Sequence, residues 1–343
     1  MYIFRILFFA LLTAGCYGGQ AQSYNNLVFE GAGVRGIAYV GSLKELEKRD
    51  MLRQIERVGG TSAGAIAALC VALGYNSREI EKIIYETKIQ QFNDGNFFFI
   101  GGIARINHRY GWYRGKSFTK WLEDIIHAKT QNSEITFREL HEKGFRDLYV
   151  TGTSLNHQKL VVFSVETYPE MKIKDAVRVS MSIPLYFEAV FIDSTGRIIP
   201  DKKKGTEYFD IVVDGGLTGN FPIFMFDSLV NINGEVLRIS NPNTLGFRID
   251  TPEQVSYDRE RKGLAPVSIQ RFPHYVGAFY SYVLENLNRR MLTESDWQRT
   301  VSISSSHIGP KVRRLSRDEK DQLIKNGQEA TQEFFQRSLP VED

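Results

Sequence analysis

Short apolar runs alternate along this chain with stretches of helical period. Leu27-Val28-Phe29 predicts a strand, and Ile37, Val40, Leu43 and Leu46 recur at the spacing of one helix face, predicting a helix over residues 37–49. Ile55-Glu56-Arg57-Val58-Gly59 predicts a second strand, and the Ala-rich run 63–73 a buried helix. Asn76 and Glu79 have the spacing of a capping box, which opens a helix reaching about residue 88. Further strands are expected at 147–151, 160–165, 208–213 and 236–239, and further helices at 117–127, 173–181, 275–291 and 317–337. This alternation predicts an α/β fold with a central, mostly parallel sheet flanked by helices. There is no internal repeat and no low-complexity tract.

Residues 92–115 break the pattern, being rich in glycine and aromatics (Phe97, Phe98, Phe99, Tyr110, Trp112, Tyr113) without a clean period. A lid over a binding site has this composition, and so does an irregular packed connection. The packed connection is the reading adopted, because aromatics more often fill cores than line ligand walls.

With 343 residues and 42% hydrophobic content, the chain can bury the core of one large domain. The formal net charge is +3, and without residues 1–21 it is +2, which gives no electrostatic case for a nucleic-acid partner. The run Lys202-Lys203-Lys204 reads as a solvated loop. At the N-terminus, Arg5 precedes an apolar run over 6–14 and then small residues, the pattern of an export signal too short to span a bilayer. Cleavage after Ala21 competes with lipid attachment at Cys16, because Leu12-Thr13-Ala14-Gly15-Cys16 resembles a bacterial lipoprotein signal with Thr13 in an aliphatic position. Simple cleavage is the expectation, leaving residues 22–343 exported from a bacterial cytoplasm to the periplasm or beyond. Cys70 is then the only thiol, so no intramolecular disulfide can form.

Two glycine-bearing segments carry the candidate chemistry. Gly60-Thr61-Ser62-Ala63-Gly64 is a G-x-S-x-G sequence between an early predicted strand and a predicted helix, the setting of a nucleophile elbow. There Ser62 Oγ would stand at a helix N-terminus, where orphan N–H groups and the helix dipole favour developing negative charge. The plain alternative is a turn whose serine only caps the helix. The other segment, Gly31-Ala32-Gly33-Val34-Arg35-Gly36, also matches the dinucleotide motif G-x-G-x-x-G. A ribose-binding acid is then expected at the end of the second strand, but that strand runs into Gly60-Thr61-Ser62 and its only acid, Glu56, lies inside it. Consecutive N–H groups in such a loop can equally stabilise an oxyanion.

A nucleophilic serine needs a base. The order Ser62, Asp214, then His274 or His307 is formally that of an α/β-hydrolase, but such folds place several strands before the elbow, and neither histidine carries a motif. Asp214 is the better candidate, since it ends an apolar strand and precedes Gly215-Gly216.

Glycine loop with a basic residue, G-x-S-x-G and D-G-G, in this order, resemble the patatin-like phospholipase family over about residues 27–222. Asp175-Ala176-Val177-Arg178-Val179-Ser180-Met181-Ser182-Ile183-Pro184 and the stretch after Asp214, with Asn220 and Pro222, resemble further family blocks. The resemblance implies a patatin-like fold with Ser62 as nucleophile and Asp214 as base of a Ser-Asp dyad, flanked by Gly60, Gly64, Gly215 and Gly216. It implies an oxyanion loop of Gly31, Ala32 and Gly33, with Arg35 and Gly36 completing the motif and Arg35 either holding the loop or meeting a phosphate. Ala32 departs from the usual glycine, and the loop survives this unless residue 32 must adopt a positive φ. The implied activity is hydrolysis of acyl esters of phospholipids or related lipids, with peripheral membrane contact and without metal or cofactor; the alternative from another class is a lipid-binding protein that keeps the fold without turnover, against which the intact Ser62 and Asp214 argue. Residues beyond the motifs, about 265–340, are expected to form a helical extension.

Overall fold

The computed structural model describes residues 22–95, 98–199, 209–289 and 291–337. The expected export segment with Cys16, Phe97, Lys202-Lys203-Lys204 and Tyr208 lie outside these. The strands are β1 (Asn26–Phe29), β2 (Arg57–Gly60), β3 (Gly111–Tyr113), β4 (Asp147–Ser154), β5 (Lys159–Phe163), β6 (Leu185–Phe187), β7 (Val190–Ile192), β8 (Asp210–Asp214), β9 (Ser228–Ile232), β10 (Glu235–Ile239), β11 (Thr244–Asp250) and β12 (Thr300–Ser304). The helices are α1 (Tyr39–Lys48), α2 (Ala63–Ala72), α3 (Ser77–Glu86), α4 (Phe98–Arg109), α5 (Lys116–Thr130), α6 (Phe137–Glu142), α7 (Ile173–Ser180), α8 (Gly216–Gly219), α9 (Pro252–Arg259), α10 (Phe272–Arg289), α11 (Glu294–Gln298) and α12 (Arg317–Arg337).

The central sheet runs in the order β12-β11-β1-β2-β4-β8-β7, with β5 also paired to β4. From β12 to β4 every pairing is parallel, and β5, β7 and β8 join antiparallel. The fold is therefore α/β with a mostly parallel sheet flanked by helices, as the alternation predicts. β1 is buried on both faces, which explains its unbroken apolar run. Leu27 and Phe29 belong to the main core with α1 and α2, while Val28 faces a smaller cluster of Tyr149, Phe221, Ile223 and Phe226. The capping box forms, with Asn76 accepting from the Glu79 N–H and Glu79 from the Asn76 N–H.

Two expectations are corrected. The stretch 92–115 is a packed connection but not an irregular one, since α4 and β3 lie within it. Phe92 packs on Phe118 and Trp121, and Arg105 Nε donates to the Trp112 carbonyl at 2.7 Å. The C-terminal stretch is not only helical, because β12 inside it pairs with β11 in the central sheet. The strand expected at 236–239 is present as β10, paired with β9 in a hairpin whose side chains are mostly exposed.

Candidate active site

The register of β4 decides which strand ends meet. Val150 pairs with Gly60 of β2 on one edge and with Phe163 of β5 on the other. Gly152–Ser154 continue to pair with β5, and pair with β8 on their remaining edge. The antiparallel β8 thus occupies the edge that β2 vacates, and the two strands point their C-terminal ends at each other. Ser62 follows the end of β2 and Asp214 is the end of β8.

At the end of β2 the chain turns directly into α2, with Ser62 at φ 53° and ψ −120°, a region that non-glycine residues rarely adopt. The turn is tight: a Cβ on Gly60 would lie 2.4 Å from the Gly64 backbone, and one on Gly64 2.3 Å from the Phe29 carbonyl. Ser62 is the N-cap of α2, yet its side chain makes no capping bond. Its N–H donates to Ser180 Oγ at 2.8 Å, which fixes the turn, and Oγ lies 3.4 Å from Met181 Sδ. The helix-cap alternative therefore fails, and the hydroxyl is left for other work.

Asp214 rests on the same short segment, its N–H donating to the Ser182 carbonyl at 3.0 Å. Its carboxylate accepts from the Gly216 N–H at 2.7 Å, and its carbonyl accepts from Thr153 Oγ1 at 2.9 Å. Burial raises the Asp214 pKa to about 6, with the Gly216 N–H and a hydrogen bond from the Ser62 hydroxyl pulling the other way. The sequence block 175–184 is thus the common seat of both residues. Below it, the buried Arg178 holds Ser182 Oγ at 2.5 Å and the Arg114 and Glu188 carbonyls at 2.9 and 3.2 Å. Its guanidinium is pushed down to about 10 by that burial.

The glycine loop begins where β1 ends, one strand from β2. Gly31 donates its N–H to the Asn220 carbonyl at 3.0 Å, so that donor is committed to holding the loop. Among the described residues, the N–H groups of Ala32 and Gly33 have no acceptor. Ala32 has φ −132°, so alanine fits there without strain. Gly33 has φ +55°, and a Cβ on it would lie 2.0 Å from the Pro310 carbonyl. Arg35 Nε donates to the Ala32 carbonyl at 3.2 Å, which makes it a brace of the loop. Gly36 packs against Ala63, where an added Cβ would meet the alanine's at 3.0 Å. Gly215 packs over Thr151, whose hydroxyl contacts Thr61 Oγ1 at 2.6 Å.

Four residues around this arrangement were not picked out from sequence as site residues. Asn220 Nδ2 donates to the Gly31 carbonyl at 3.0 Å and to Glu30 Oε1 at 3.3 Å, joining the loop after β8 to the loop after β1. Glu30 is buried and also accepts from the Ile249 N–H at 3.0 Å, and burial raises its pKa to about 8 against the pull of Arg248. Arg248 lies 3.6 Å from Glu30, 2.9 Å from Asp250 and 2.8 Å from Glu285. Asn288 accepts from the Asn220 N–H at 2.6 Å and donates to the Gly216 carbonyl at 3.3 Å. The available signal was Glu30, an acid ending an apolar run directly before glycine.

The family model for patatin-like phospholipases matches residues 27–227. This chain belongs to the patatin-like phospholipase family. The Bacillus subtilis protein YqhO is 34% identical over 213 residues, covering 59% of this chain and 67% of its own. A protein of invertebrate iridescent virus 6, named probable lipid hydrolase 463L, is 26% identical over 205 residues, covering 60% of this chain and 63% of its own. Among solved structures, VipD from Legionella pneumophila superposes with TM-score 0.54 at 17% identity, over 92% of this chain and 67% of its own, a likeness of fold.

Within that family frame, the histidines stand apart. His307 is 71% exposed with its ring 3.8 Å from Glu253, and neither it nor His274 is a hydrogen-bond partner of Ser62 or Asp214 among the described residues. No group of three or more His, Cys, Asp or Glu among the described residues could hold a metal ion.

Proposed function

We propose that this member of the family is a serine acyl hydrolase that cleaves acyl esters of phospholipids or related lipids through a Ser62–Asp214 dyad. The observation that carries the reading is the head-to-head meeting of β2 and β8, which puts a strained, uncapped serine beside a buried carboxylate on one seat, Ser180–Ser182. Asp214 accepts the Ser62 proton as Oγ attacks the ester carbonyl. The carbonyl oxygen becomes an oxyanion, stabilised by the free N–H groups of Ala32 and Gly33, donors of a kind whose loss costs about 10²–10³ in kcat in other serine hydrolases. Collapse of the tetrahedral intermediate breaks the ester C–O bond, and Asp214 returns the proton to the leaving alcohol. Water, deprotonated by Asp214, then releases the fatty acid from the acyl-enzyme. A carboxyl with its pKa near 6 is a far better base at neutral pH than an ordinary aspartate.

In the same reading the substrate lies in a lipid surface, and residues 1–21 export the chain, with lipid attachment at Cys16 as the alternative form; fractionation of the native host with N-terminal sequencing tests that. The activity itself is tested on short-chain soluble esters and on phospholipid vesicles. Ser62→Ala and Asp214→Asn are each expected to lose at least ~10³-fold in kcat while remaining folded. Retention of the wild-type rate by either overturns the dyad.

A further inference from the structure

Residues 263–284 differ from the rest of the surface. They contain no Asp or Glu in a chain that is 24% charged, and their one permanent charge is Arg271. Phe272, Tyr275, Phe279 and Tyr282 are between 57% and 77% exposed, and Val267, in the segment leading into α10, is 66% exposed. The last turns of α10 are anchored through Asn288 on the loop after Asp214 and through Arg289 on Asp250 and Asp258. In its first three turns most of the described residues are exposed, with His274 and Ala278 partly covered. A helix this apolar is ordinarily covered. The β9–β10 hairpin also exposes apolar side chains, but it carries Glu235 and is tied down by Arg238 to Asp227 and Asp296.

We infer that residues 264–283 are a docking element that lies on an anionic lipid surface and sets the Ser62–Asp214 site against it. Its purpose rests on the lipid hydrolase reading. Phenylalanine and tyrosine combine an apolar body with, in tyrosine, a polar tip, the composition of a segment lying at a bilayer interface. A stretch free of acids with Arg271 at the start of the helix meets no repulsion from anionic headgroups. A two-fold contact with a second copy would instead bring together two such stretches with no acid to pair Arg271. No helix among the described residues is long and apolar enough to cross a membrane, so the element lies on the surface. Asn288 roots it on the backbone of Gly216 and Asn220, beside the proposed base.

The test is co-sedimentation with phosphatidylcholine vesicles containing or lacking phosphatidylglycerol. It uses Ser62→Ala protein starting at Gln22, which keeps every strand and helix described, so that docking is read whether or not the dyad hydrolyses lipid. Binding is expected to the anionic vesicles, and to weaken at least tenfold when Phe272→Ser, Phe279→Ser and Tyr282→Ser are combined. Because those side chains are exposed, the melting curve of the combined variant should overlay its parent's. Equal binding by parent and variant overturns the inference. So does a parent that ignores vesicles and elutes as a dimer that the variant turns into monomers, which would make the face a self-association surface.

Discussion

Residues 27–227 carry every group proposed to touch the reacting ester, whereas residues 244–337 carry none and yet supply β11, a neighbour of β1, and β12 beyond it in the same sheet. The first region works through strand ends: Ser62 follows β2, Asp214 ends β8, and the glycine loop leaves β1. The second works through buried props behind those ends. Arg248 of β11 sits under Glu30, Asn288 of α10 holds the Asn220 and Gly216 backbone, and the Pro310 carbonyl lies against Gly33. Chemistry needs particular residue types at particular spacings, so the first region has motifs. Propping needs only a buried group of suitable charge or shape, so the second has none.

The comparison breaks most sharply at Arg248. Its side chain is 2% exposed and faces three acids, and Arg248→Met would take the cation from beside Glu30 and leave Asp250 and Glu285 to Arg289. Removing one partner of a buried ionic group costs about 3–5 kcal/mol. The expected outcome is a large fall in denaturation midpoint, with ester hydrolysis per folded molecule reduced far less than by Ser62→Ala. If stability holds and activity vanishes, Arg248 belongs to the chemistry and the division between the regions is wrong.

The packing of α12 on α1 offers a smaller break. A Cβ on Gly327 would lie 1.9 Å from the Ala38 carbonyl, and one on Gly41 1.8 Å from the Ile324 carbonyl, so the helices cross backbone to backbone. Gly327→Ala should cost about 1–3 kcal/mol, read by chemical denaturation, with kcat little changed.

These props explain what the sequence made visible. β1, β2 and the capping box of α3 were legible because local pattern alone specifies them. β8 was legible as the apolar run ending in Asp214. β11, Thr-Leu-Gly-Phe-Arg-Ile-Asp, is buried through its first six residues but was not predicted, since Gly246 and Arg248 interrupt its apolar run. Arg248 is tolerated there because Glu30 and Glu285, brought in from other elements, join Asp250 of the same strand around it, a fact of tertiary structure. β12 alternates Thr, Val, Ser, Ile and Ser and is too short to stand out. In the site, the segments that approach one another were each legible, and Asn220 was noted within its block, but not the bond that ties it to Gly31.

Asp214 sharpens the comparison from the chemical side, because there burial serves reactivity at the expense of stability. The carboxyl must be ionised to act, so hydrolysis of a soluble ester should fall about tenfold per pH unit below about pH 6. The linkage has the opposite sign. A carboxyl whose pKa is raised by folding stabilises the fold while protonated, and that contribution is lost as pH rises from the ordinary value near 4 through about 6. Asp214→Asn cannot ionise and should be more stable than wild type by ~3 kcal/mol at pH 8, with the difference disappearing below pH 4. An inactive variant that is also less stable at pH 8 would mean that the ionised carboxylate is a structural prop like Arg248.

The smallest expected effect falls on the histidines, and its smallness is informative. A Ser-Asp-His triad would route the Ser62 proton through an imidazole held between hydroxyl and carboxylate, and loss of that imidazole would cost several orders of magnitude in kcat. In the proposed dyad the Ser62 proton passes to Asp214 without an imidazole between them, and His307 is exposed beside Glu253. His307→Gln and His274→Gln, each assayed on a soluble short-chain ester, should therefore stay within about twofold of wild type, the range of ordinary surface substitutions. A loss of ~10³-fold in either would bring the C-terminal region into the reaction itself and end its description as support.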